Sequence, residues 1–574
     1  MPTLFKYQHL ITLFLLAAVL VSGASAATYE AATTTDFNAN LTAASDPAGD
    51  TIIITGNFTV SNVEINKIIT IQSDGTPRIL TAASGERLFS IAATGDLTLE
   101  DGITLTGGNC VYSGGGVCVD NGGTFTMNGG TITGNSASWD GGGVFVKEGG
   151  TFDMTAGNIT NNTATDCDGG GVFVKEGGTF TMTDGNISNN TATSRGGGVY
   201  SEGETFTMTA GNITNNTADK GGGVYFVGGT FTMNGGNITD NTAGRDGGGV
   251  YFVGGTFTMN AGNIANNTAT TRGGGVHVYN GKLNMNGGTI TNNTADEGGG
   301  VCVDNGGTFN MSDGVISYNT ATKNGGGVWI DYNVTFTMTA GNITNNTANE
   351  SGGGVCIWSG TFTMTDGNIS NNTATTNGGG VFVYDDGTFT MKGGDITDNT
   401  ATYKNGGGVY FAGETFTMNG GNITDNTAKE HGGGVYVNSG SFTMNDGTIT
   451  TNSADDGGGV AVFGSGNFNM DDGDISNNTA NESGGGVYVN SGSFTMKDGT
   501  ITDNTATTNG GGVCVENGDT FTINGGNITD NRADDGGGGV YVFESDFTMT
   551  AGNIANNTAG CEGGGYVCTF VSSR

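Results

Sequence analysis

The residues able to do chemistry in this 574-residue chain recur along it and do not gather in one place. One position after a repeated Gly-Gly-Gly-Val stand Phe145, Phe173, Tyr200, Tyr225, Tyr251, His277, Trp329, Phe382, Tyr410, Tyr436, Tyr488 and Tyr541. If that column is exposed it is an aromatic stripe, fit to stack on an extended glycan or to meet a partner protein. The plainer reading is that the rings stack on one another and shield a sheet. A second column carries Thr-x-Thr pairs, such as Thr179 and Thr181, Thr205 and Thr207, and Thr335 and Thr337. Threonines two apart on a strand lie about 6.6 Å from each other, a lattice like the ice-binding face of some β-solenoids, although Lys282, Asn284, Asn467, Asn469 and Asp546 interrupt it.

Cleavage of a polysaccharide would need paired carboxylates, one with a raised pKa, or acidic calcium ligands beside a base. The densest acidic point is Asp471-Asp472 with Asp474, which reads as a solvated turn, and His277 and His431 are single variants of repeat columns. Acidic turns such as Asp455-Asp456, Asp534-Asp535 and Asp166 with Asp168 imply only diffuse cation binding, since the nonapeptide calcium repeat is missing. No residue is therefore assigned to catalysis, a cofactor or a metal.

Eight cysteines occur without a CxxC pair, and Cys110 with Cys118, and Cys561 with Cys568, flank the first and last triple glycines where each pair could staple one end. Cys302 and Cys356 share a column but lie two repeats, about 9.6 Å, apart, beyond disulfide reach. Asn-x-Ser/Thr sequons abound, and Asn161, Asn189, Asn215, Asn345 and Asn371 are the best acceptors for glycosylation, because each precedes an invariant Asn and should face solvent.

These residues are positioned by a repeat. Gly-Gly-Gly-Val or a close variant recurs eighteen times, from Val117 to Tyr566, at a spacing of 25 to 28 residues. One unit, Gly169-Gly170-Gly171-Val172-Phe173-Val174 through Thr179-Phe180-Thr181-Met182 to Asn186-Ile187-Ser188-Asn189-Asn190-Thr191-Ala192, reads as three short strands of period two divided by glycine and asparagine turns. No stretch between turn signals reaches ten residues, so helices are not expected. A unit this small cannot bury its own apolar face, and stacking must make the core. The expected fold is all-β, a right-handed single-stranded parallel β-helix of about 18 regular coils over 110–574, with a cap and irregular first coils over 27–109.

Alternation sends Val172, Val174, Phe180, Met182 and Ile187 inward. The Phe180 column is Phe in sixteen of seventeen coils and the Met182 column Met in all but one. Asn190 and Ala192 head columns that never vary, so the Asn is expected either to take a left-handed backbone or to bond its counterpart in the next coil.

Lys6, the apolar run Leu10–Val21 and Ala24-Ser25-Ala26 have the order of a signal peptide covering 1–26, which places the mature chain outside the cell or on its surface. A formal charge of −36 with only 18 Lys and Arg argues against nucleic acid as a partner, and no later stretch has the length of a membrane-spanning helix.

The pairing of Ile187-Ser188-Asn189-Asn190-Thr191-Ala192 with Gly196-Gly197-Gly198-Val199 resembles the paired GGA(I/L/V) and FxxN repeats of chlamydial polymorphic membrane proteins, and is similar to adhesin-like β-helix proteins of methanogenic archaea. The resemblance spans about 110–574. It implies a passenger-like attachment region that meets glycans or proteins of a host or neighbouring cell. Two departures are Ile in place of Phe at the first FxxN position and the lack of a following translocator barrel. The expectation is an adhesin-like surface rod that is not an enzyme; the alternatives are a polysaccharide lyase or glycosidase and an ice- or surface-binding solenoid.

Overall fold

A computed structural model describes residues 25–45, 49–517, 520–561 and 563–569. The segment read as a signal peptide lies outside these residues apart from Ser25 and Ala26. The fold is the expected right-handed parallel β-helix, of about 21 turns. Its strands form three parallel sheets of 39, 18 and 20 strands. All strand pairings join residues one coil apart, so Val172 pairs with Val199, Phe180 with Phe206, and Ile187 with Ile213.

A typical regular coil holds four strand segments, one more than the sequence pattern suggests, although Thr415–Thr424 and Ser441–Thr450 each merge two of them. The segments Thr179–Met182 and Asn186–Ser188 belong to one bent sheet, which is why it counts 39 strands. The third side is a ribbon mostly two residues wide, Thr191–Ala192 and its equivalents, extended only at Thr217–Lys220 and Thr242–Asp246. A two-residue strand carries too little alternation to be read in advance. The sheet that follows the triple glycine, Val172–Val174, completes the coil.

Val172, Val174, Phe180, Met182 and Ile187 are fully buried, as alternation requires. The phenylalanines stack as a ladder interrupted at Leu283, with Phe180 to Phe206 at 5.0 Å and Phe206 to Phe231 at 4.6 Å between nearly parallel rings. Each buried side chain of this kind contributes about 1.5 to 3 kcal/mol, and a ladder repeats that gain at every turn.

Of the two roles considered for the invariant Asn, the structure uses the amide ladder. Asn190 donates its backbone N–H and its side-chain amide to Asn216 Oδ1, at 2.9 and 3.0 Å, and its other amide hydrogen to Ile159 O at 2.9 Å. The left-handed conformation falls one residue earlier, at Asn161, Asn189, Asn215 and their equivalents, which include Tyr318 and Thr451. The short polar side chains common at that site tolerate positive φ.

The N-terminal end departs from the all-strand reading. Thr34–Ala43 is an α-helix opened by a capping box between Thr33 and Asp36, and its Phe37 is fully buried 5.8 Å from Phe58 and 6.1 Å from Phe89. Thr33-Thr34-Thr35-Asp36 was the available signal, a Thr three residues before an acidic residue. Lys67 Nζ holds the far end of the helix by donating to Leu41 O, Thr42 O and Ala44 O at 3.0, 3.2 and 2.6 Å. Among the described residues no helix is long and apolar enough to cross a membrane.

Candidate functional site

The aromatic stripe is not a surface. Tyr200, Tyr225, Tyr251, Trp329, Tyr436 and Tyr488 are buried, and Tyr410 and Tyr541 are half-buried. Their rings stack coil on coil, as Tyr200 on Tyr225 at 5.2 Å and Tyr225 on Tyr251 at 4.9 Å. The side chains leave the sheet on its outer face, as alternation predicts, but the chain folds back over them.

The triple glycine makes that cover. Gly196 has φ +63, and a Cβ there would lie 2.8 Å from Tyr200 Cβ; one on Gly197 would meet Gly222 O at 2.5 Å, and one on Gly198 would meet Gly223 O at 2.7 Å. Only three glycines let the corner press on both the outward ring and the next coil. Over the coils from Asp140 to Glu297, a row of charged residues just before the glycines completes the roof. Arg195 pairs with Asp168 at 2.7 Å and lies over the rings of Tyr200 and Tyr225, while Lys220 lies over Tyr251. Burial pushes the Tyr200, Tyr225, Tyr251, Tyr436 and Tyr488 phenols above their usual range.

The aromatics that do reach solvent lie elsewhere. Two residues farther along the same strand, on the same face, the next outward column includes Tyr279, Trp358 and Tyr384, between 39 and 42% exposed. Trp358 and Tyr384 sit on successive coils with ring centres 5.0 Å apart. The period-two rule places this column outward too, so the signal was present, but the columns differ in whether the glycine corner covers them, and spacing does not show that.

A second exposed aromatic pair borders a cleft at the first regular coils. Trp139 is 54% exposed and Tyr112 60%, in an edge-to-face pair 5.8 Å apart. Trp139 borders a cleft of about 490 Å³ with Ser113, Asn121, Asp140, Phe145, Lys147, Glu148 and Lys175. Lys147 is tied to Asp120 at 2.5 Å. Asp140 is half-buried, and burial pushes its carboxyl up, with the charges of Asp168 and Glu202 adding to the effect against an N–H donated by Asp168. The cleft thus offers one flat apolar face beside amide, carboxylate and amine groups.

The other residues singled out from sequence fall as follows. Cys110 and Cys118 are both buried free thiols, so this staple is not formed; the Arg87 guanidinium lies between their environments, donating to Cys110 Sγ at 3.4 Å. Cys561 is a free, exposed thiol, and the Cys568 side chain lies outside the described residues. Trp329 stands in register between Cys302 and Cys356 and separates them. Asn161, Asn189, Asn215 and Asn371 are exposed, while Asn345 is half-buried and donates to Thr344 Oγ1. The acidic turns are paired: Asp471 with Lys497 at 2.8 Å, Asp455 with Lys429 at 2.8 Å, and Asp534 with Arg532 at 2.6 Å. The threonine pairs align in register over the four coils from Thr179 to Thr258, until Lys282 and Asn284 break the row.

A stacked-coil rod with a closed core and short polar corners defines the class: a parallel β-helix solenoid. The family described as right handed beta helix region matches residues 142–313 and 309–473, more than half of the chain, and the chain belongs to it. No curated protein matches the chain.

Proposed function

We propose that this chain is an adhesin-like rod of the cell surface, without catalytic activity, that binds saccharides of a host or neighbouring cell through the Trp139 cleft. The observation that carries this reading is the exposed Trp139 beside Asn121, Glu148 and Lys175 at one mouth. The C–H face of a sugar ring packs on an indole, and its hydroxyls exchange hydrogen bonds with amide, carboxylate and amine groups; a cleft of this volume, lined mainly by polar side chains around one aromatic face, suits a small hydrophilic ligand. The exposed Trp358 and Tyr384 supply a second stacking position along the rod. The likeness to chlamydial and archaeal repeat proteins points to the same role.

The test is a glycan array probed with residues 27–574 and with the Trp139→Ala variant. Saturable binding that the variant loses while its β-sheet circular dichroism stays unchanged supports the reading. A folded rod that binds no glycan sinks it.

One observation favours a second reading, a polysaccharide-acting enzyme. Asp140 is a carboxyl whose pKa burial raises, in the same cleft and one coil from the ionic pair of Asp168 and Arg195, and glycoside cleavage uses two carboxyl groups, one of them with a raised pKa. Release of reducing ends or unsaturated products by the wild type, lost in Asp140→Asn, would establish it in place of the non-catalytic reading.

A further inference from the structure

Within the buried column that follows the triple glycines, two neighbouring coils carry His277 and Cys302 in direct register. Asp304 follows Cys302 by two residues on the same face. All three are at least 98% buried, and their ligand atoms lie within 4.8 Å of one another. Elsewhere this column holds mainly aromatics that stack and satisfy themselves. Here the stack stops at Tyr251, which meets the His277 ring edge-on at 4.7 Å.

Several polar atoms of this cluster are left without hydrogen-bond partners. His277 Nδ1 and Nε2 and Asp304 Oδ1 make no hydrogen bond, and neither does Nε1 of Trp329, the next residue in the column. His277 Nε2 stands 3.4 Å from Asp304 Oδ2 without hydrogen-bond geometry. Buried polar atoms are nearly always satisfied, and a group of them facing one another calls for something that binds all of them. An imidazole, a thiol and a carboxylate share one class of ligand, a borderline-soft divalent cation.

Charge and outer contacts agree with that choice. Arg272 Nη1 donates to Asp304 Oδ2 at 3.0 Å, which fixes the carboxylate and leaves Oδ1 free to coordinate. Such outer-shell contacts orient metal ligands. The positive charge of Arg272 is met by Glu297 at 3.3 Å, and an ion binding here would displace the Cys302 thiol proton to solvent, so that the sulfur and Asp304 together would balance its double charge. Ligand atoms around tetrahedral zinc lie about 3.3 to 3.8 Å apart, and the three here already lie within 4.8 Å of one another.

We infer that His277, Cys302 and Asp304 bind one zinc-class divalent cation, which ties two adjacent coils together where the aromatic stack is interrupted. A fourth position is left for water or another ligand. Sequence reading missed the site because His277 stands 25 and 27 positions from Cys302 and Asp304, at the repeat spacing, and because Cys and Asp recur in their columns at Cys118, Cys356 and Cys514 and at Asp120 and Asp331, so that only the histidine sets this pair of coils apart.

The test uses the full chain, stripped with chelator in a non-thiol reductant and titrated with Co2+. One equivalent is expected to produce a thiolate-to-cobalt charge-transfer band that one equivalent of Zn2+ abolishes. Cys302→Ser and His277→Phe should lose the band, and Cys356→Ser, in the same column two coils on, should keep it. The Phe substitution restores the ring type common in the column, so it tests the metal without emptying the site. Arg272→Gln is expected to weaken binding about 10- to 100-fold. A folded wild type with no band, or an equal band in Cys302→Ser, overturns the inference.

Discussion

Replacing Asn293 by alanine probes the ladder that closes every coil. Asn293 Oδ1 accepts the backbone N–H of Asn267 at 2.9 Å and its amide at 3.0 Å, and Asn293 Nδ2 donates to Ile264 O at 2.9 Å and Asn319 Oδ1 at 3.0 Å. All four bonds vanish with the side chain. The Asn267 amide keeps its bond to Ile238 O, and Asn319 Oδ1 keeps the Asn293 N–H, but the Asn267 backbone N–H is left bare in a fully buried corner. A bare buried donor costs about 1 to 3 kcal/mol and each further lost bond about 1 kcal/mol, so the loss should fall between about 4 and 6 kcal/mol. Because coils in a solenoid are stabilised by their neighbours, the damage should also divide the rod, and unfolding should split into two transitions. Urea unfolding followed by circular dichroism measures both effects. Asn292→Ala is the control: Asn292 is exposed at φ +55, and the substitution should cost only about 1 to 2 kcal/mol of left-handed strain. If the two variants lose stability equally, the ladder is not what holds the corner.

Gly247→Ala would place a methyl 2.6 Å from Tyr251 Cβ at φ +67, so it should destabilise the rod by more than about 2 kcal/mol, and an unchanged melting temperature would refute the account of the glycine corner. Asp50 is buried, and the N–H groups of Ala27 and Ser45, both at 2.6 Å, hold its carboxyl below the usual range. The unfolded chain takes up that proton first, so the stabilisation is complete above about pH 4 and fades as pH falls through the lowered folded value; the melting temperatures of wild type and Asp50→Asn should converge below pH 4, and a constant gap down to pH 2 would count against it. The buried tyrosines act in the opposite sense. Their raised folded pKa values mean stability is intact below about pH 10 and declines above it, so ultraviolet difference spectra should show the phenols of Tyr200 and Tyr251 ionising only as the β-sheet signal is lost. In native protein Ellman's reagent should modify exposed Cys561 quickly and buried Cys302, Cys356 and Cys514 only after denaturation, whereas rapid labelling of all four would refute their burial.

The sequence determined the architecture, because every core contact in a solenoid joins equivalent positions one repeat apart. Sixteen phenylalanines in one column already imply a ladder, and period two already sends Val172, Phe180, Met182 and Ile187 inward. The two-residue Thr191–Ala192 sheet and the Thr34–Ala43 helix escaped this logic, the first too short to alternate and the second outside the repeat. What only the tertiary structure decided is which outward side chains meet water. Tyr200 and Trp358 both leave the same kind of sheet on its outer face, yet Tyr200 is 1% exposed and Trp358 39%. The difference is the left-handed glycine corner and its row of charged residues, which bend back over the first column and stop short of the second. Direction follows from local geometry, but exposure depends on what the rest of the chain lays on top.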